Sequence, residues 1–419
     1  MKKTLYIFSM IIVSILFSCR EDNIPMVSLG LDNVYIMPRM KTLPLTPAFT
    51  GQEYNWTMQT ASGRDSLLST QKDYIFLPKD TGTYHLTFNL IDPANPLSHN
   101  IDIYVVEEEV AYSAYIAHVY EYMPAPGQFI NKLPYYEAGN TTEDMRQKAE
   151  ASINGTVNQL VSLGGYGGYI SFGFDHTVIN VAGERDFMIY GNSFYADSNA
   201  QPGTENASGS SEPGIVMVSF DTNQNGIPDD EWYELAGSEY YKPETIHDYE
   251  ITYYKPNPNK TETPDADYPF YRDTTYIKWT SNQNDYGYII KNIYHNQSYY
   301  PQWISAEKIS FGGTKLADNF KDLSSSGSYY IQYPYSWGYA DNHPNEAKLD
   351  SVYLISFDID WAVDKNGNKI HLPGVDFIRV YTGVNQYCGW LGETSTEISK
   401  AQDMHVYVKP IQQQKTIRK

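Results

Sequence analysis

The stretch Asp221–Trp232 reads DTNQNGIPDDEW, in which the oxygen-bearing side chains of Asp221, Asn223, Asn225 and Asp229 surround Gly226 and Pro228. Numbered as an EF-hand-like loop, Asp221, Asn223 and Asn225 take positions one, three and five. Gly226 falls at six, the carbonyl of Ile227 at seven and Asp229 at nine. Carboxylate, amide and carbonyl oxygens in this order suit a hard cation, and calcium above all. The bidentate glutamate that completes such loops at position twelve is replaced by Trp232, leaving Asp230, Glu231 and Glu234 as the neighbouring acids able to substitute. The same residues also suit a plain hairpin, since Asn225-Gly226 favours the positive φ of a tight turn. The loop therefore has two readings, a structural calcium site or a solvated hairpin.

A second set of residues is suited to binding. HNQSYYPQW (295–303), YYIQYPYSWGYADN (329–342) and NQYCGWLGE (385–393) hold aromatic rings and amides among proline and glycine turns. Tyr299, Tyr300, Trp303, Trp337, Tyr339 and Trp390 can offer ring faces, with Asn296, Gln297 and Asn385 as amide neighbours. Rings on rigid turns stack against a flat or amphipathic ligand while amides bond its rim. Packing of the same rings between loop and sheet is the competing role.

Catalytic patterns are lacking: there is no Gly-x-Ser-x-Gly, His-Glu-x-x-His, P-loop or Gly-x-Gly-x-x-Gly motif. His176 and His295 lie beside strand-like runs, where a hydrogen-bonded structural histidine is the ordinary case. Asp358 and Asp360 form no diagnostic pair in a chain holding 50 acids. Cys388 has no local partner and suits a small buried hydrophobe. The chain reads as a binding protein, not an enzyme.

The elements that must position these residues follow from composition and pattern. Of 419 residues 39 are tyrosine, and Tyr, Ile, Val, Thr, Gly, Asn and Pro recur, a mixture that favours strands joined by tight turns. The expected fold class is all-β, with one short helix. The N-terminus, MKKTLYIFSMIIVSILFSCRED, places Lys2 and Lys3 before an apolar run too short for a comfortable span. It ends in a lipobox-like Leu-Phe-Ser-Cys, so residues 1–18 are expected to be a lipoprotein signal peptide and Cys19 the lipid attachment point. With Cys19 acylated, Cys388 is alone and no intramolecular disulfide can form. A formal charge of −20 repels nucleic acid, which is excluded as a partner.

Residues 19–109 are expected to form a small immunoglobulin-like sandwich after the anchor. Tyr54, Trp56 and Met58 share one strand face, as do Tyr84, Leu86, Phe88 and Leu90, then Ile101, Ile103 and Val105. Residues 110–409 are expected to form one large jelly-roll-like β-sandwich with long loops, followed by a tail at 410–419. Its expected strands include 167–174, 186–194, 214–220, 351–363 and 375–384, together with HVYVKP at 405–410. A helix is expected over 142–160, capped by Thr142 and ended at Gly155. DKNGNK (364–369) reads as an Asn-Gly hairpin.

At this point the residues resemble a known family. YNWT together with GTYHLTFNL resembles the PKD-like domains of Bacteroidetes surface lipoproteins, which act as spacers. GGYISFGFDHTVINVAGERDFMIYGNSF and SSEPGIVMVSFDTNQNGIPDDEWYELAGSE are similar to a β-sandwich module of exported bacterial proteins. YYPQWI, PYSWGYADN and LPGVDFIRVYTGVNQYCGWLGETSTEI extend that similarity over nearly the whole mature chain. Arg20-Glu21-Asp22 resembles the acidic tag that directs lipoproteins to the cell surface. The resemblance implies an outer-membrane, lipid-anchored, surface-exposed protein that captures a small ligand. Corrinoid (cobalamin) for a TonB-dependent transporter is the favoured cargo, with a glycan-uptake role or a structural surface role as alternatives. It also implies a second calcium possibility, at Asp186, Asn192 and Glu212.

Overall fold

The computed structural model describes residues 29–60, 63–93, 96–196, 208–324 and 326–406. The signal sequence, Cys19, most of HVYVKP and the 410–419 tail lie outside the described residues. Two compact units divide the chain. Leu45–Tyr74 and His85–Asp102 belong to the smaller, and Tyr35–Pro44, Ile75–Tyr84 and Ile103 onward to the larger. No helix among the described residues is long and apolar enough to cross a membrane.

The fold is all-β. In the smaller unit Glu53–Gln59 pairs antiparallel with both Asp65–Ser69 and the strand ending at Ile91. Trp56 is its centre: fully buried, 4.7 Å from Phe88 and 5.6 Å from Tyr74. Its indole N–H donates to the carbonyls of Gln71 and Lys72, so burying the ring leaves no orphaned donor. The period-two pattern holds, with Leu86, Phe88 and Leu90 all buried.

The larger unit is built on a six-stranded antiparallel sheet, in the order Ala362–Val363, Trp232–Leu235, Gly214–Ser219, Phe377–Thr382, Tyr169–Gly173, His118–Met123. Both faces are covered, and alternate residues divide between two cores. Val216, Val218, Ile378, Val380, Ile170 and Phe172 join one core with Phe187, Ile189, Ala401 and the helix residues Met145 and Ile153. Ile215 and Tyr381 join the other, with Tyr249, Ile251, Tyr253, Ile277, Ile289 and Phe311. Each such buried side chain contributes about 1.5–3 kcal/mol, and a one-residue slip would exchange the two sets, so register is fixed strongly.

The second core is closed by a four-stranded sheet, ordered Tyr286–Asn292, Tyr271–Ser281, Ile246–Tyr254, Lys308–Lys315. This outer sheet is not among the expected strands. The helix is shorter than expected, Thr142–Ile153, and its cap is Thr141 rather than Thr142. Thr141 wins because Asp144 stands three residues on and completes a capping box: each side chain takes the other residue's backbone N–H. The expected strand over 351–363 is broken into short pieces. The Asp358 carboxylate accepts the Asp360 N–H and turns the chain into a 3-10 turn at Ile359–Trp361. DKNGNK is a turn, with the Asp364 carboxylate accepting the N–H groups of Asn366 and Asn368.

Candidate functional site

A cavity of about 240 Å³ lies where the outer sheet meets the segments after Phe377–Thr382. Trp279 and Tyr288 reach it from the paired strands Tyr271–Ser281 and Tyr286–Asn292, and Tyr253 from Ile246–Tyr254. Tyr166, Asn385, Tyr387 and Glu393 complete the part that can do chemistry. The walls are pinned: the Tyr253 hydroxyl donates to the Tyr166 carbonyl at 3.1 Å, and Tyr387 to the Ile290 carbonyl at 3.3 Å. Trp279 lies across Gly287, its cross-strand partner, where an added Cβ would fall 2.4 Å from the indole Cζ2. A glycine is needed there because the ring occupies the space of a side chain.

Glu393 is 8% exposed. Its Oε1 accepts the Gln128 N–H at 2.5 Å, while Oε2 is buried, closed off from solvent, and has no hydrogen-bond partner among the described residues. Burial, the largest cause, pushes its carboxyl up to about 8. Among the described residues, no lysine, arginine or histidine lines the cavity. Cys388, next to this segment, is buried, and burial pushes its thiol up to about 12, so it is inert as a nucleophile near neutrality.

A second cluster forms at the start of Gly214–Ser219. Glu212 precedes that strand, Ala340 pairs with Gly214, and Glu397 opens a short strand paired with Val161–Ser162. Glu212, Asp341 and Glu397 each bring a carboxylate oxygen within 4.8 Å of the other two. Asp341 and Glu397 are 1% and 4% exposed; Glu212 is partly buried. Asp341 accepts three backbone N–H bonds, from Asn192, Ser193 and Glu397, at 2.8–2.9 Å. Ser395 donates its hydroxyl to Glu397 at 2.8 Å and its N–H to Glu212 at 3.3 Å.

Burial first, then mutual repulsion, holds the Glu212 and Asp341 carboxyls above the usual range, and burial does the same to Glu397. No basic group is among the main charges acting on them. Such a set must hold protons or a cation. The donors are all oxygen, the preference of calcium. The Asn192 amide stands 3.1–3.2 Å from the Asp341 oxygens, so it can offer nitrogen to them or oxygen to a shared ion. Glu212 and Asn192 reach solvent, which leaves room for water to complete a shell of six to eight.

The sequence candidates divide. Asp221–Asp229 does close a hairpin between Gly214–Ser219 and Trp232–Leu235. Asp221 takes the N–H groups of Asn225 and Gly226 at 3.0 and 2.7 Å, and Asn225 takes that of Ile227. The amide nitrogens of Asn223 and Asn225 face Asp229 at 3.2–3.4 Å. Among the described residues, three acidic ligands gather only at Glu212, Asp341 and Glu397. Of the trio implied by resemblance, Asn192 and Glu212 are at that cluster. Asp186 is not: it is bonded to His405 Nε2 at 2.8 Å and to the N–H of Ile359.

The aromatic candidates do not converge. Tyr299, Tyr300 and Tyr339 are buried in the second core, their hydroxyls bonded to backbone at His295, Ala306 and Glu239; Tyr300 also lines a separate pocket with Lys255, Tyr276 and Lys291. Trp303 packs on the first core between Tyr122 and Tyr136. Trp337, 38% exposed, stands against Trp361, while Trp390, 41% exposed, stands near Tyr294. Asn296 and Gln297 are engaged by Arg272 and the Gln128 carbonyl. Asn385 alone of the candidates lines the cavity. Trp279, Tyr288, Glu393, Asp341 and Glu397 were not anticipated, although the last three lie in the quoted LGETSTEI and GYADN.

No protein-family model matches the chain, and no curated protein does. One solved structure with some similarity concerns carbohydrate-binding modules from the beta-sandwich super family. It is 11% identical, covers 88% of this chain and 93% of its own, and has a TM-score of 0.14. Similarity at that level supports no argument about function.

Proposed function

We propose that the chain is a lipid-anchored surface protein that captures a ring-sized polar molecule in the cavity beside Trp279 and Glu393, with no catalytic step. One observation carries this reading: Trp279 and Tyr288 wall a cavity whose lining also carries the polar side chains of Asp318, Asn385 and Glu393. Cavities for drug-sized ligands run to roughly 300–1,000 Å³, so 240 Å³ suits a single sugar-sized ring. A corrinoid macrocycle is too broad for it and would enter only by a side arm. The glycan-capture reading is therefore preferred to the corrinoid one. The anchor is supported by Lys2, Lys3, the apolar run and Cys19; in this reading capture takes place at the outer membrane and serves a TonB-dependent transporter. Calcium, in this reading, ties Glu212, Asp341 and Glu397 together and is structural.

Calorimetric titration of the chain with a monosaccharide panel and with cobalamin tests the reading. Saccharide binding that falls tenfold to a hundredfold in Trp279→Ala is expected, the range for a stacking hot spot worth about 1–3 kcal/mol. Cobalamin binding that ignores Trp279→Ala but is lost in Trp337→Ala or Trp390→Ala would move the site to the exposed loops.

A further inference from the structure

We infer that a second cleft, lined by Lys255 and Lys291, binds a small organic carboxylate: the two ammonium groups hold its oxygens, and Pro256, Pro258 and Ile304 pack its body. The cleft encloses about 480 Å³, within the roughly 300–1,000 Å³ of small-molecule sites. It shares no lining residue with the cavity at Trp279, so the inference is independent of capture there. Lys255, Lys260 and Lys291 line it together with two acids, Glu262 and Asp273. The acids are already engaged. Asp273 faces Lys291 across the strand pair, yet its carboxylate takes Lys260 Nζ at 2.8 and 3.0 Å and the N–H groups of Thr263 and Thr275. Glu262 pairs with Arg272 at 2.8 Å. Lys260 is fully used as well, donating also to the Thr275 carbonyl and hydroxyl. These charges cancel one another within the protein, and those of Lys255 and Lys291 remain.

Among the described residues Lys291 has neither a carboxylate nor a hydrogen-bond partner for its ammonium, which stands 4.8 Å from the Tyr276 ring centroid and 6.0 Å from that of Tyr299. Lys255 donates once, to the Ser305 carbonyl at 3.1 Å, and lies 5.9 Å from the Tyr300 ring. Ring faces hold a cation in place without neutralising it, so both ammonium groups keep N–H donors for an oxyanion. Lys291 is partly buried on the strand Tyr286–Asn292. Burial, then the charge of Arg272, lowers its pKa, the response of a cation short of counter-charge. The segment 298–302 is fixed in advance: the Asn131 amide donates to the Ser298 and Tyr300 carbonyls and its oxygen takes the Gln302 N–H. A site formed before its ligand arrives loses less in ordering it. Pro256, Pro258 and Ile304 give the body of an organic acid an apolar contact that a bare inorganic anion cannot use.

The test is calorimetric titration of the full-length chain in detergent, near neutral pH and at low salt, with cyclohexanecarboxylate against cyclohexanol and with inorganic phosphate. The carboxylate should bind roughly tenfold or more tightly than the alcohol, the worth of one charge-assisted hydrogen bond. Lys291→Met should abolish that preference, Lys255→Met should reduce it by a smaller factor, and Trp279→Ala should leave it unchanged. Should Lys291→Met fail to fold, acetylation of Lys291 in the parent, read by mass spectrometry, decides: the carboxylate should slow it and the alcohol should not. Equal binding of acid and alcohol overturns the inference, as does acetylation that ignores the carboxylate. Phosphate that binds as tightly as the carboxylate makes this a bare anion site and overturns the assignment. A preference kept in folded Lys291→Met but lost in Trp279→Ala puts the acid in the other cavity and overturns it too, while leaving capture there intact.

Discussion

In a chelator, raising the pH from 5 to 8 should weaken the larger unit, and calcium should restore what is lost. Glu397 ordinarily titrates near 4.5 and is pushed up to about 7 by burial. A folded carboxyl that holds its proton more tightly than the unfolded one stabilises the fold fully below the unfolded pKa. That contribution disappears as pH rises through the folded pKa. At about 1.4 kcal/mol per pH unit, the cluster built around Glu397 accounts for a loss on the order of 3 kcal/mol across that window. This corresponds to a melting temperature lower by roughly 5–10 °C. Glu212 and Asp341, the other members, are shifted in the same direction. Calcium bound at a hundred times its Kd returns about 2.7 kcal/mol by linkage, and returns it mainly at pH 8, where the carboxylates are ionised. Thermal melts at pH 5 and 8, in chelator and in calcium, measure all four corners. Glu397→Gln, which keeps the N–H bond to Asp341, should remove most of the calcium response. A melting temperature in chelator that rises from pH 5 to 8 would refute the reasoning, as would a calcium shift equal at the two pH values.

Gly287→Ala should displace the Trp279 ring, destabilise the chain by about 1–3 kcal/mol as overpacking does, and lower ligand affinity; calorimetry showing parent affinity would mean the ring is not a wall of the site. The double change Asp221→Ala, Asp229→Ala should cost about 1–2 kcal/mol, because the N–H groups of Asn225 and Gly226 lose their acceptor. The calcium shift of the melt should survive it, and its disappearance would give the ion to the hairpin. Thr141→Ala should lower helix stability by about 1 kcal/mol through loss of the cap, read from denaturant midpoints. Cys19→Ala should abolish palmitate labelling and partition with outer membranes, and continued labelling would contradict the anchor.

Strands buried on both faces, which read as short apolar runs, were legible in the sequence: Tyr169–Gly173, Gly214–Ser219 and Phe377–Thr382 lie within the expected runs. The outer sheet was not, because its strands alternate tyrosine and isoleucine with lysine and threonine, and tyrosine is read equally well as a ligand-facing residue. The turn Asn282–Asp285 between Tyr271–Ser281 and Tyr286–Asn292 was the available signal. Several aromatic candidates turn inward for a related reason. A tyrosine buries its ring and satisfies its hydroxyl on a nearby carbonyl, as Tyr299 and Tyr300 do, and one sequence cannot separate that from a binding ring. The acidic cluster joins positions 212, 341 and 397, which only the strand pairing brings together. Glycine at 287 shows the limit most directly: its role is visible only once Trp279 is known to lie across it.

The most direct test of the capture reading is a crystal structure of the chain grown with its tightest binder from the titration panel. The account predicts ligand density inside the cavity, with a ring against Trp279 and polar groups toward Asp318 and Asn385. Density on Trp337 or Trp390, with nothing between Trp279 and Glu393, would contradict it.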